Sequence, residues 1–176
     1  MSYPAVFVGR TLAMARGHAS CPRGWHLTDV QQVLGCGEDV FDAAWDRVRT
    51  WQMHNCTAAH VGDQPPAEVG QVVSIQFRPG GVRVGPRNNP CVVVDVVDTV
   101  EPDGSCVRAL IYGTLDGHAE CGEEAFVLTL HTDGTVVGRC VAFSRQAWWV
   151  AKCGRPLAQR MQKAAAAAYV RAMVRP

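Results

Sequence analysis

No sign of charge dominates this sequence. Seventeen lysines and arginines stand against sixteen aspartates and glutamates, a net charge of +1 at neutral pH, so the chain has no long-range field to draw nucleic acid or an anionic membrane surface to it. Long apolar runs are missing as well. In the N-terminal stretch MSYPAVFVGRTLAMARG, Arg10 and Arg16 interrupt the apolar residues before a signal-peptide core or a membrane span reaches its length. The expectation is a soluble cytoplasmic protein. The eight cysteines include no CxxC or CxC pair, and several sit in apolar runs such as NPCVVVDVV and GRCVAF, which points to free, partly buried thiols rather than a disulfide framework. The HxE triplet His118-Ala119-Glu120 is followed by no PCxxC, so a deaminase-type zinc site is not expected. GCG at 35 to 37 lacks the third glycine of a dinucleotide fingerprint. Neither a metal nor a cofactor is expected.

What is present fits one domain. The 176 residues are 48% hydrophobic and 19% charged, enough to bury roughly two thirds of the unfolded surface around a single core. Residues 1–20 show no clear period and read as an N-terminal arm whose order depends on packing, followed by a single domain over 21–176. WHLTDVQQVLG, with Trp25, Leu27 and Val33 at even spacing, reads as a strand ending at Gly35. From Glu38 or Asp39, the residues Val40, Phe41, Ala44, Trp45, Val48 and Trp51 recur at helical spacing, which predicts a short helix.

QVVSIQF then alternates Val73, Ile75 and Phe77 against Ser74 and Gln76. NPCVVVDVVD, CVRALIYGTL, EEAFVLTLHT and TVVGRCVAFS follow, the last two split by the Asp133-Gly134 turn signal. Four consecutive strands on short turns predict an antiparallel sheet. The C-terminal segment, from about Trp148 to Met173, is the longest helical pattern, with Ala165, Ala168 and Ala172 along a narrow stripe meant for the sheet and Pro156 as a local break or restart. The class is α+β: a short N-terminal helix, a bent antiparallel sheet and a long C-terminal helix.

The segments GCGEDVFDAAWDRVRTWQMH, PPAEVGQVV, NPCVVVDVVD, YGTLDGHAECGEEAFVL, AFSR and PLAQRMQ occur in an order that resembles the domain of unknown function nineteen-ninety family, over residues 24 to 173. Where that family commonly carries proline, this chain has Asp116, Ala119 and Gln146. The family looks distantly similar to the START and Bet v 1 class of helix-grip folds, in which a bent sheet wraps the last helix. That likeness implies a cavity between sheet and helix for a small hydrophobic or polyketide-like molecule, and a cofactor-independent cyclase, dehydratase or isomerase, or else a non-catalytic carrier. It transfers no catalytic residues.

The residues themselves leave two readings of YGTLDGHAECGEEAF. In one it is a structural turn whose carboxylates bond to backbone N–H groups. In the other Glu124, which alternation places on one face with Phe126 and Leu128, is a proton-transfer group in an apolar setting, with Tyr112 beside it and His118 at the entrance. Glu123 alternates onto the other face, expected toward solvent. An inward Glu124 paired with Arg139 is a further alternative. Phe77, Phe126, Arg139, Trp148 and Trp149 complete the expected ligand-binding set. Trp148 and Trp149 also suit a partner surface, with which a homodimer would be compatible.

Overall fold

The computed structural model describes residues 1–55, 58–78, 81–83, 87–146 and 155–174. A 3-10 turn at Ala5–Phe7 precedes α1 (Arg10–Ala15), β1 (His26–Cys36), α2 (Glu38–Arg49), α3 (Gln52–Asn55), β2 (Ala59–His60), β3 (Val72–Ser74) and β4 (Gln76–Phe77). Then come β5 (Pro90–Val100), β6 (Cys106–Thr114), β7 (Glu120–Leu130), β8 (Thr135–Gln146) and α4 (Arg155–Ala172). The main sheet has the order β1-β8-β7-β6-β5-β3, antiparallel throughout.

The strands form where β-branched runs and turn chemistry require them. β5 is a valine-rich run. The β7–β8 hairpin closes at Asp133-Gly134, where Gly134 has φ 85° and the Asp133 carboxylate accepts from Thr135 N–H at 2.8 Å. Register shifts between Val33 and Gly35 on β1, and between Val93 and Asp95 on β5, insert bulges that bend the sheet. QVVSIQF does not stay one strand. Its first half joins the edge of the main sheet through β3, with Ile75 N–H donating to Asn89 O at 3.0 Å at the next position of that register, and its second half pairs with β2 in a separate small sheet.

Both faces of the sheet are covered. On the concave face Leu110, Tyr112, Phe126, Leu128, Val136 and Cys140 are buried against Phe41, Ala44 and Val48 of α2 and Ala166, Tyr169 and Val170 of α4. α4 packs on β1, β8 and α3, the helix-grip arrangement. Its buried stripe differs from the expected one: Ala165 and Ala172 take part, but Tyr169 and Val170 carry the bulk, and Ala168 stays half-buried at the margin. Strand β1 turns Leu27 and Val33 outward and gives Val30 and Leu34 to the core.

The convex face is closed by the chain's first residues. Leu12 packs on Ala109, Ile111 and Ala125, while Tyr3 and Met14 pack on Val141 and Phe143. Glu123 corrects the expectation that it faces water. Alternation assigned its face properly, but the arm covers that face, and Glu123 is 2% exposed. Its carboxylate accepts from Tyr3 Oη (2.8 Å), Gly9 N–H (2.7 Å), Thr11 N–H (2.9 Å) and Thr11 Oγ1 (2.7 Å). Tyr3 reaches it by crossing Gly113, where any Cβ would collide with the tyrosine ring.

Replacing Glu123 by Ala strands these donors in the interior and is expected to destabilise the fold by about 3 kcal/mol or more. Urea unfolding would measure this, with limited proteolysis showing cleavage within residues 1–20. An unchanged midpoint and an intact arm would mean that the carboxylate does not hold the arm.

Candidate functional site

Helix α2 ends at Arg49, and Trp51 follows in a left-handed conformation, φ 65°, which a bulky residue rarely adopts. It is held there by complete burial and by its indole N–H, which donates to Pro65 O at 3.2 Å. This reversal starts α3, whose His54 enters the core beneath β6. Nε2 of His54 lies 3.1 Å from the Tyr112 hydroxyl. That hydroxyl donates to Glu124 Oε2 at 2.7 Å, and the Cys140 thiol donates to Glu124 Oε1 at 3.1 Å. Phe126 and Tyr169 wall the group: ring centroids lie 4.9 Å apart for His54 and Tyr169, 5.3 Å for His54 and Phe126, and 5.5 Å for Tyr112 and Phe126.

Glu124 is not sealed into this aromatic wall. It is half-buried, as are Glu120, Ser144 and Gln162 around it, at the border of β7, β8 and α4. Gln162 Nε2 donates to Glu120 Oε1 at 2.7 Å and to Ser144 Oγ at 3.0 Å, and its carbonyl oxygen is buried with no hydrogen-bond partner among the described residues. Burial raises the carboxyl groups of Glu124 and Glu120 above their ordinary value. It pushes the Tyr112 and Tyr169 phenols and the Cys140 thiol well up. It drives His54 down to about 3, so the imidazole is neutral. The result is a set of uncharged donors around one half-buried carboxyl that holds its proton more tightly than an exposed glutamate does.

The expected residues separate. Tyr112, Glu124 and Phe126 come together. His118 does not join them: its Nδ1 accepts from Glu120 N–H at 2.9 Å and closes the turn at Asp116-Gly117, while Asn89 Oδ1 holds Ala119 N–H at 2.9 Å. The structural reading of the motif thus describes His118, whereas Glu124 takes the inward position. Arg139 is on the opposite face, because it pairs in register with Val127. It makes a two-pronged ion pair with Asp29 at 2.8 and 2.7 Å and donates to Ala15 O. Its ion pair is therefore with Asp29 and not with Glu124. Phe77 is on the small β2–β4 sheet, outside the core clusters. Trp148 and Trp149 lie outside the described residues. Among the described residues no three His, Cys, Asp or Glu side chains are grouped to hold a metal ion, and no helix is long and apolar enough to cross a membrane.

His54, Cys140 and Tyr169 were missed in the sequence. Cys140 was within reach of alternation, since β8 turns it to the same side as Val136. Tyr169 lies four residues after Ala165, on the stripe already drawn through the alanines. His54 carried no signal, because its position depends on the turn at Trp51.

The chain belongs to the family described as Domain of unknown function (DUF1990), which matches residues 8–172. It is 28% identical over 145 residues to a UPF0548 protein of Dictyostelium discoideum, a match taking in 76% of this chain and 66% of that relative, so the chain spans slightly under two thirds of the relative's length. Among solved structures it is similar in fold to a hypothetical protein from Helicobacter pylori, 12% identical, covering 85% of this chain and 86% of that one, with a TM-score of 0.50. It is also similar to norcoclaurine synthase from Thalictrum flavum, 12% identical over 86% of this chain and 89% of that one, with a TM-score of 0.43.

His54 and Glu124 give stability opposite pH dependences. Between 6.5 and about 3 the unfolded chain binds a proton at His54 and the folded chain does not, so stability falls as pH falls, by about 1.4 kcal/mol per unit for one proton. Glu124 is raised from 4.5, so its contribution is present below 4.5 and lost as pH rises through the raised value. Urea midpoints from pH 4 to 8 should therefore show a flatter acid side in His54→Leu and a flatter side above 4.5 in Glu124→Gln. A His54→Leu variant that keeps the wild-type acid slope would rule out a neutral buried imidazole.

Proposed function

We propose that this chain binds a small, largely apolar molecule in the opening between the concave face and α4, and that Glu124 exchanges a proton with it in a cofactor-independent cyclisation, dehydration or isomerisation. One observation carries the reading: an accessible carboxyl, raised by burial, set on a wall of Tyr112, Phe126 and Tyr169 with no arginine or lysine bonded to it among the described residues. The rings supply apolar contact area, and the carboxyl is a hydrogen-bonding and proton-exchanging group at the point where a ligand's polar end would lie. Carboxyl groups at Glu120 and Glu124 disfavour an anionic ligand.

A second reading has its own support. Both oxygens of Glu124 already have donors, Tyr112 and Cys140, as a carboxyl does when it only anchors a wall. In that case the protein binds the same class of molecule and releases it unchanged.

N-phenyl-1-naphthylamine, an uncharged apolar fluorophore, should bind saturably with a dissociation constant on the order of micromolar, about −8 kcal/mol. Gln162→Trp, which fills the opening, should weaken it at least roughly tenfold, about 1.4 kcal/mol, without moving the unfolding midpoint. Absent binding, or binding indifferent to that substitution, removes the site. Deuterium exchange at the carbon next to the carbonyl of 2-tetralone, followed by mass spectrometry in heavy water, then separates the two readings. Catalysis predicts acceleration that drops about 10²-fold in Glu124→Gln, and equal rates in the two proteins leave the binding protein.

A further inference from the structure

The Tyr112 hydroxyl has two neighbours and one proton. It lies 3.1 Å from His54 Nε2 and 2.7 Å from Glu124 Oε2, and a phenol can donate along one of these contacts only. If it donates to an ionised Glu124, the imidazole contact is made by Nε2–H donating to the Tyr112 oxygen. If Glu124 carries its proton on Oε2 and donates to that oxygen, the hydroxyl turns to Nε2, which must then be bare, with the ring proton on Nδ1.

We propose that His54, Tyr112 and Glu124 form a proton relay in which the tautomer of His54 and the protonation of Glu124 change together. The inference rests on reading Glu124 as the proton-transfer group, and it extends that group inward to Tyr112 and His54, whose proton positions change with it. The atoms balance. The starting protons are Glu124 Oε2–H, Tyr112 O–H and His54 Nδ1–H. Going from the first state to the second, the Glu124 proton passes to the Tyr112 oxygen, the Tyr112 proton passes to Nε2, and solvent water takes up the Nδ1 proton. What remains is the Glu124 carboxylate, Tyr112 O–H and His54 Nε2–H. One proton has gone, and Tyr112 and His54 end as uncharged as they began. That matters because burial holds the imidazole down at about 3 and the phenol well up, so neither imidazolium nor tyrosinate is a resting form.

The thiols and the phenol facing Glu124 do not compete. Cys140 on β8, Cys91 on β5 and Tyr169 on α4 are all pushed up by burial and stay protonated. Glu120, on Glu124's own strand, is bonded by Gln162. His54 acts as a positioning residue: it decides whether Tyr112 presents a donor or an acceptor to the carboxyl, and hence whether Glu124 stands as base or acid.

The test uses the full chain without ligand. Long-range proton–nitrogen correlations of ¹⁵N-histidine protein read the His54 tautomer, and the infrared carbonyl band lost in Glu124→Gln reads Glu124. As pH rises the band should disappear while His54 stays neutral and its proton moves from Nδ1 to Nε2. In Glu124→Gln the tautomer should be independent of pH, and in Tyr112→Phe Glu124 should titrate with the tautomer fixed. A His54 that keeps one tautomer while Glu124 titrates, a tautomer change that persists in Tyr112→Phe, or a carboxyl that never titrates while the fold persists would each overturn the relay. Because no ligand is present, failure here leaves the binding site standing, and failure to bind the fluorophore leaves the relay standing.

Discussion

Two carboxyl groups adjacent in sequence must leave a strand on opposite sides, and β7 buries Glu123 fully and Glu124 in part. A carboxylate taken out of water without donors is too costly for a domain of this size to carry, so each face of the sheet has to bring hydrogen bonds to its own glutamate. On the convex side those donors come from the chain's first residues, through the Tyr3 hydroxyl, the Gly9 and Thr11 amides and the Thr11 hydroxyl. On the concave side they come from the neighbouring strands, through Tyr112 of β6 and Cys140 of β8. The placement of the arm and the polar lining of the pocket answer the same demand.

The concave side needed one more element. Tyr112 is buried, and its hydroxyl needs company on both sides to orient. His54 supplies it, and reaches there only because Trp51 adopts a left-handed conformation between two helices. Backbone strain of this kind persists where the surroundings over-determine it, and here full burial of the indole and its bond to Pro65 do so. The alanines of α4 contribute by being small. With Ala165 and Ala166 on the inner side the helix lies close to the sheet, and Tyr169 from the same helix stacks 4.9 Å from the His54 ring.

What was legible in the sequence was whatever depends on local periodicity. The four long strands, the helix after Gly37, the C-terminal helix and the family resemblance carried by YGTLDGHAECGEEAF all follow from patterns a few residues long. The α+β helix-grip class came with them. Alternation also put Glu124 on the face of Phe126 and Leu128. What was not legible depends on which distant segment covers a face. Residues 1–20 have no period of their own, and nothing local shows that they close the convex face over Glu123. Arg139 could be tied to Glu124 only by ignoring register, since Glu124 pairs with Ala142, while Arg139 pairs with Val127 and points the other way. Phe77 failed for a similar reason, because the break between β3 and β4 that moves it to a second sheet leaves no mark in the alternation of QVVSIQF. His54 is the extreme case, set by one backbone reversal.

The two glutamates also show how differently the two faces hold the same side chain. Glu123 is saturated by four donors, two of them backbone amides fixed in the chain, and it is sealed from solvent. Nothing can approach it without unfolding the arm. Among the described residues Glu124 has two donors, one of them a thiol, the weakest donor a side chain offers, and it is half-buried. The same residue type, one position along the same strand, is a structural anchor where the face is closed by amides and a candidate reactive group where it is closed by rings, a thiol and a phenol that can turn either way.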